Sequence, residues 1–358
     1  MAQDVDSQLA ELTAALSERL GEAVLSLAPL GGGRNSRVYR LQCHGGRQYV
    51  AKRYAHYPFD GRDRMTAEFS SLQFLWRHGV RNIPRPIKTD VTCQCAIYEY
   101  VEGDAIPSSM VTAHEIDEVV AFLSVLWGLR HRAGSDQLWV AAEACFSLRD
   151  LIGCIQRRLD RLVEATTDRV EPQHVALRTF LQGTFVPALQ ELARWAQDRA
   201  QQLGISLEEE LTREERTLSP SDVGFHNAIR RDGQLVFVDF EYFGWDDPAK
   251  LVADFLLHPA MTLSEVLKRR FVSQLLPRLD SDGTLAKRLE VVYPLYGLKW
   301  CLIVLNEFVP QDLLRRDFAQ LEVRERGKVQ TEQLVKAQRL FGQLMRDDAH
   351  FPYRDISL

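Results

Sequence analysis

Two short segments of this chain concentrate oxygen donors: Ser219-Pro220-Ser221-Asp222-Val223-Gly224-Phe225-His226-Asn227, and Val236-Phe237-Val238-Asp239-Phe240-Glu241. Between them Asp232-Gly233 is a two-residue hairpin signal, flanked by 227–231 and 234–239. Pairing around that turn sets Asn227 opposite Val238, or opposite Asp239 if the loop holds three residues. Either register brings the amide and the carboxylate within about 5–6 Å of each other. With Asp222 on the preceding loop they form an all-oxygen set suited to Mg2+ and to orienting a hydroxyl. Zinc takes His or Cys, and this stretch offers only His226.

A second group lies near the start of the chain. The run Leu30-Gly31-Gly32-Gly33-Arg34-Asn35-Ser36 is glycine-rich, but a dinucleotide fingerprint must lead from a strand into a helix. Here a second strand follows: 37–43 and 47–53 read as a β-hairpin around Gly45-Gly46, so the glycines form a flap on a sheet. No G-x-x-x-x-G-K-[ST] motif is present. Pairing around Gly45 places Lys52 opposite Val38, with its ammonium beneath the flap. In a helix over 63–78 the apolar stripe is Met65, Phe69, Leu72 and Leu75 or Trp76, and Glu68 falls on that stripe. A carboxylate facing a sheet suffers heavy desolvation unless paired, which predicts a Lys52–Glu68 ion pair.

These residues need elements to hold them. Leucines at 9, 12, 16 and 20 open the chain with an amphipathic helix. Short β-branched and aromatic runs over 24–54 and 86–101 then enclose the helix at 63–78, giving a small strand-rich lobe. After Gly103 the texture turns helical, starting with a Thr112/Glu115 capping box and continuing over 147–166, 173–203, 261–277, 284–307 and 312–346. One strand-rich interruption covers 218–243. The reading is an α+β chain cut at 102/103: a small antiparallel-sheet N-terminal lobe over 1–102 and a larger, mainly helical lobe over 103–358.

The 358 residues are 46% hydrophobic and 26% charged, which excludes a disordered, collagenous or disulfide-stapled chain. Forty-four Lys+Arg against 49 Asp+Glu leave a net charge of −5, so nothing favours a nucleic-acid partner. No uninterrupted apolar run reaches the ~18 residues of a membrane span, and the first residues carry no signal-peptide pattern, so a cytoplasmic location is expected. The six cysteines (Cys43, Cys93, Cys95, Cys145, Cys154 and Cys301) have no C-x-x-C pair and read as free thiols.

The order of glycine flap, lysine, glutamate, aspartate loop, asparagine and aspartate resembles the aminoglycoside phosphotransferase and choline kinase family, with its protein-kinase-like bilobal fold. The likeness runs from about Leu30 to Phe255. Gly32-Gly33, Asn35 and Val38-Tyr39-Arg40 match the family's flap, and Asp222, Asn227 and Asp239 match its catalytic loop and metal-binding positions. The resemblance implies that Gly33, Asn35, Ser36 and Lys52 hold phosphates and that Glu68 partners the lysine. It also implies that the backbone around Glu99 and Val101, in Tyr98-Glu99-Tyr100-Val101-Glu102-Gly103, holds adenine. Asp222 would be the catalytic base, with Asn227 and Asp239 as Mg2+ ligands. The implied cofactors are ATP, or GTP, and Mg2+; the implied activity is transfer of the γ-phosphoryl group to a hydroxyl of a small molecule such as an aminoglycoside, amino alcohol or sugar. Two positions depart from the family pattern: Pro220 stands where a histidine usually precedes the aspartate, and Glu241 follows Asp239-Phe240.

Only seven residues separate Asp239 from Asp247, without Ser or Thr, too few for an activation loop that docks a peptide. A small acceptor follows, and acidic residues such as Glu241, Asp246 or Glu208–Glu210 would suit an amine on it. Asp247 before Pro248 reads as a helix cap. The competing readings are a catalytically silent nucleotide-binding pseudokinase and a helical scaffold that binds no nucleotide.

Overall fold

The computed structural model describes residues 2–31, 33, 35–280, 282–319, 325–346 and 351–356, with the side chains of 9 onward. It divides into two compact units: Met1–Ala105 with Ala228–Tyr242 and Leu314–Val323, and Ile106–Asn227 with Phe243–Leu313 and Arg324–Leu358. Residues 228–242, which the sequence reading leaves with the helical lobe, thus belong to the first unit.

In that unit α1 (Ala2–Leu20) precedes strands β1 (Val24–Leu30), β2 (Ser36–Cys43) and β3 (Gln48–Tyr54). Helix α2 (Arg64–Arg77) follows, then β4 (Pro86–Asp90), β5 (Cys95–Glu99) and the short β6 (Asp104–Ala105). The first five strands form one antiparallel sheet in the order β1-β2-β3-β5-β4. Leu12 and Leu16 of α1 cover one end of it, packing with Tyr39, Leu41, Ala51 and Ile97. Gly45 and Gly46 turn the β2–β3 hairpin at φ 88° and 83°, a conformation that suits glycine, and the ladder sets Val38 opposite Lys52 as expected. Asp63 caps α2, its Oδ1 accepting the Thr66 N–H at 2.9 Å. The helix then buries Met65, Glu68, Leu72 and Leu75 on one face.

The hairpin predicted at Asp232-Gly233 is present as β8 (Ala228–Arg231) and β9 (Gln234–Phe237). Both turn residues have positive φ, 52° and 80°, as a primed two-residue turn demands. The ladder ends at Ala228↔Phe237, so the expected pairing of Asn227 is replaced by a 3-10 turn over Phe225–Asn227. β8 also pairs with β6, and this close pass requires Gly103: a Cβ there would lie 2.3 Å from the Arg230 carbonyl oxygen.

The second unit is mainly helical. It holds α3 (Ala113–Leu129), α4 (Leu148–Thr166), α5 (Pro172–Phe180), α6 (Val186–Leu203), α7 (Pro248–Leu257), α8 (Glu265–Leu279), α9 (Thr284–Val304), α10 (Pro310–Ala319, running on past Leu313) and α11 (Arg326–Arg346). Two short strands, β7 (Thr217–Ser219) and β10 (Gly244–Asp246), pair antiparallel. The Thr112/Glu115 capping box forms as predicted. The single helix expected over 173–203 is interrupted by a π-turn at Leu181–Phe185. Pro187 has no N–H for the carbonyl of Gly183 and crowds it, which widens that turn. The helix expected over 312–346 is two helices, with 320–324 outside the described residues. α9 is the central core element, packed by α7, α11, α6 and α4. The segment Thr284–Phe308 is long and apolar enough to cross a membrane, and 83% of its apolar window is buried in the fold.

Candidate active site

In the first unit the predicted ion pair forms and grows into a network. Lys52 Nζ lies 2.7 Å from Glu68 Oε2, 2.5 Å from Asp239 Oδ1 and 3.6 Å from Glu241 Oε2. β3 supplies the lysine and α2 the glutamate. Glu68 is fully engaged: its Oε2 also accepts the Tyr54 hydroxyl at 2.7 Å, and its Oε1 accepts the Phe240 N–H at 3.1 Å. Asp239 reaches Lys52 from a left-handed backbone, φ 68°, two residues after the end of β9. Its side chain is 39% exposed, against 8% for Lys52 and 4% for Glu68. Asn35, just before β2, donates Nδ2–H to Glu241 Oε1 at 2.7 Å and to the Tyr242 hydroxyl at 2.5 Å. Arg62 donates to the Glu241 carbonyl at 2.9 Å.

The electrostatics of this cluster are lopsided. Burial opposes the charge on Lys52, but Asp239, Glu68 and Glu241 outweigh it and hold its pKa well above the usual lysine value. Burial raises Glu68 against the pull of Lys52. Burial, with repulsion from Asp239 and Glu68, pushes Glu241 up to about 7 although Lys52 lowers it. Three carboxylates within 4.8 Å of one another surround a single ammonium, and Glu241 Oε2 has no hydrogen-bond partner among the described residues. Such an acid surplus fits a hard divalent cation bound by oxygen.

In the second unit Asp222 follows β7 on a tight loop. Ser219 Oγ accepts the Ser221 N–H at 2.9 Å, and Ser221 adopts φ 65°. Asn227 Nδ2 donates to the Asp222 carbonyl at 2.9 Å, which leaves the Asn227 carboxamide oxygen as its ligand end. Two imidazoles meet the carboxylate: His226 Nε2 lies 3.0 Å and His258 Nε2 3.2 Å from Asp222 Oδ1. Their rings stack at 4.1 Å with planes 11° apart. Gly224 permits this, because a Cβ there would lie 2.6 Å from the His226 ring. Burial would raise the Asp222 carboxyl, but the bonds from His226 and His258 hold it well below the ordinary carboxylate range.

Beneath this loop Lys250 on α7 donates to Ser221 Oγ at 2.7 Å and Asp246 Oδ2 at 2.8 Å, and pairs with Asp254 at 3.1 Å. Asp247 caps α7 through the Ala249 N–H and accepts Arg288 at 2.8 Å, so its scaffold role stands as read. Asp246, expected to face an acceptor amine, is fully buried and committed to Lys250; Glu241, expected there too, sits in the Lys52 cluster. Of the exposed run at 208–210, Glu208 pairs with Arg149.

Among the flap residues, Ser36 is buried at the start of β2, and Gly33 is held to glycine because a Cβ would collide with the Ser36 carbonyl. Gly32 and Arg34 lie outside the described residues. Glu99 ends β5, its carboxylate bonded to Arg231 at 2.9 Å and its N–H to the Arg85 carbonyl at 2.9 Å. Val101 follows as a buried residue. Sequence reasoning missed His258, which makes His226 no longer the only imidazole near Asp222, and missed Tyr54 as a second donor to Glu68. The spacing of Lys52 and Tyr54, two apart on one strand and so on one face of the sheet, was the available signal for the latter.

Compared with known proteins, the chain matches the model of the phosphotransferase enzyme family over residues 26–281. No curated protein matches its sequence. Solved structures share its fold at low identity. Choline kinase from Cryptosporidium parvum Iowa II is 12% identical with a TM-score of 0.58, over 90% of each chain. Choline kinase LicA from Streptococcus pneumoniae is 16% identical with a TM-score of 0.55, over 94% of this chain and 99% of that one. Spectinomycin phosphotransferase APH(9)-Ia, in complex with ADP and spectinomycin, is 12% identical with a TM-score of 0.59, over 91% and 98%. The fold is protein-kinase-like.

Proposed function

Since the chain belongs to the phosphotransferase enzyme family, we propose that it transfers the γ-phosphoryl group of ATP to a hydroxyl of a small molecule, using Lys52, Asp239 and Asn227 toward the nucleotide and Asp222 toward the acceptor. The observation that carries this reading is the buried Lys52 ammonium, held by Glu68 on one side and by the more exposed Asp239 on the other. A lysine so fixed keeps its charge and its position, as neutralising phosphate oxygens requires.

Glu68, held by three hydrogen bonds from Lys52, Tyr54 and Phe240, anchors the lysine. Asp239 is the exchangeable partner. Magnesium, when bound through Asp239 with Glu241 in support, would screen the charge between phosphate groups; the unpartnered oxygen and surplus acid of the Lys52 cluster fit such an ion, and Asn227 offers its carboxamide oxygen as a further hard donor. The flap around Gly33, Asn35 and Ser36 offers backbone to phosphates, and the segment from Glu99 to Val101 offers backbone to adenine. Asp222, kept anionic by its two imidazoles, is a weak base. It accepts a hydrogen bond from the acceptor hydroxyl, orients it, and takes the proton only late, once bonding to phosphorus has made that hydroxyl acidic.

The neighbours' names range over choline, ethanolamine and spectinomycin, which supports an amino alcohol or aminated sugar as the acceptor class. Purified protein should release ADP from Mg-ATP faster in the presence of one member of a panel of such acceptors. Nucleotide binding without acceptor-dependent turnover across the panel would instead mark a silent nucleotide-binding module, and no binding at all a scaffold.

A further inference from the structure

The reading above gives Asp222 one task, holding a hydroxyl in line, and that task needs a carboxylate with one defined orientation. Pro220 occupies the position where the family pattern has a histidine, so the loop brings no imidazole from upstream. His258 arrives from elsewhere. It is the residue immediately after α7, and its Nε2 faces Asp222 Oδ1 at 3.2 Å.

The hydrogen bonding around His258 fixes which ring nitrogen carries the proton. The Ala260 backbone N–H donates to His258 Nδ1 at 3.1 Å, so Nδ1 is the acceptor and the proton of the neutral ring sits on Nε2. That nitrogen therefore donates to Asp222. Burial lowers the His258 pKa more than Asp222 raises it, in keeping with a neutral donor. The ring is braced as well. It stacks on His226, and the edge of Trp300 meets it at 4.5 Å and 77°. The Trp300 Nε1–H reaches back to Asp254 on α7 at 2.9 Å, so α9 and α7 lock the same histidine. Both imidazoles converge on Oδ1, and no hydrogen bond from a described residue falls on Oδ2 of a side chain that is 29% exposed.

We propose that His258 is a positioning residue for Asp222: a neutral imidazole of fixed tautomer whose Nε2–H pins Oδ1 and leaves Oδ2 to the acceptor hydroxyl. Asp222, His226 and His258 also have the composition of a zinc site, their ligand atoms lying within 4.8 Å of one another. Ligation through His258 Nε2 would move the proton to Nδ1, against the Ala260 N–H, so the bonding disfavours a metal there.

This inference rests on the phosphotransfer reading, and two experiments keep the two separable. The first needs no turnover: a long-range 1H–15N spectrum of protein with 15N-labelled histidine, with the His258 signals assigned by their loss in His258→Phe. The expected pattern is the Nε2–H tautomer across pH 6–8, with the Nε2 resonance moving in Asp222→Ala. An Nδ1–H tautomer, or stoichiometric Zn2+ binding by calorimetry that vanishes in His258→Phe, would overturn the proposal.

The second experiment measures ADP release with choline, ethanolamine and spectinomycin as acceptors. His258→Phe keeps the ring contacts but removes the donor, and should lower kcat about 10- to 100-fold while the KM for Mg-ATP stays within about twofold. His258→Gln, which restores an N–H near the position of Nε2, should recover most of that loss. An unchanged kcat in His258→Phe, or equal losses in Phe and Gln variants accompanied by a fall in Tm, would make the residue merely structural. If wild type turns over none of these acceptors, the phosphotransfer reading fails while the tautomer spectrum still decides the Asp222–His258 bond.

Discussion

The Lys52 cluster sets three carboxylates around one ammonium, whereas the Asp222 cluster sets two imidazoles around one carboxylate. The first has excess negative charge, and its most exposed acid, Asp239, is held among the described residues by the lysine alone. In the proposed reaction it exchanges partners and admits a cation. The second holds one ionised acid, fixed in place by hydrogen bonds from two imidazoles. One cluster stores charge for a ligand to neutralise, and the other fixes a direction. The same chemical change should therefore have different consequences in the two places.

The largest contrast is between Asp222→Asn and Asp239→Asn. The first substitution retains size and hydrogen bonding but removes the proposed base, so kcat for acceptor-dependent ADP release should fall about 10²- to 10⁴-fold with Mg-ATP affinity nearly unchanged. The second should abolish Mg-ATP binding measured by calorimetry, and with it turnover. Equal effects of both variants on nucleotide affinity would erase the division of labour drawn here.

The next contrast concerns stability. Lys52→Met leaves Glu68 and Glu241 buried without their cation, a situation that typically costs about 3–5 kcal/mol. Urea unfolding should show that loss, and Lys52→Met with Glu68→Gln together should recover part of it, because the two residues share one network. His258→Phe removes one neutral donor from a partly exposed acid and should cost less than half as much. If Lys52→Met unfolds like wild type, the ammonium is not the pin of the first cluster.

How much of this was open to sequence reasoning depends on how local the signal is. Lys52 and Glu68 were legible because each sits in a regular element: a register counted from Gly45 and a helical stripe counted from Met65 are enough to bring them together. The Asp232-Gly233 turn was legible for the same reason. Asp239 meeting Lys52 was less so, since it depends on a left-handed residue beyond the last strand pair. The burial of Asp246 was less legible, since it ends β10 and meets Lys250 of α7 only across the helix cap. His258 gave no local sign. Its arrival at Asp222 depends on the direction of α7, which the local Asp247 cap starts but the Arg288 bond and the Trp300 brace, both tertiary, fix.

The finest test of the comparison is pH. Glu241 is raised from 4.5 to about 7 in the folded protein by burial and by its acidic neighbours. Between those two values the folded state holds a proton that the unfolded chain has released, so stability declines as pH rises through this window and the full penalty applies above it. Glu241→Gln is neutral throughout. Without divalent cations it should match wild type near pH 5 and exceed it by up to about 3 kcal/mol near pH 8, measured by urea unfolding. Asp222 runs the other way. Its carboxyl is depressed below the usual 3.8, so its contribution is present above that value and lost only as pH falls beneath it. The deficit of Asp222→Asn should therefore be flat from pH 5 to 8. Adding Mg2+ at pH 8 should stabilise wild type and narrow its gap to Glu241→Gln, because the ion supplies the charge that the first cluster lacks. A pH-independent gap for Glu241→Gln would mean that its acid is already neutralised within the fold, and the contrast between a cluster that awaits a cation and one that is complete would fail at its root.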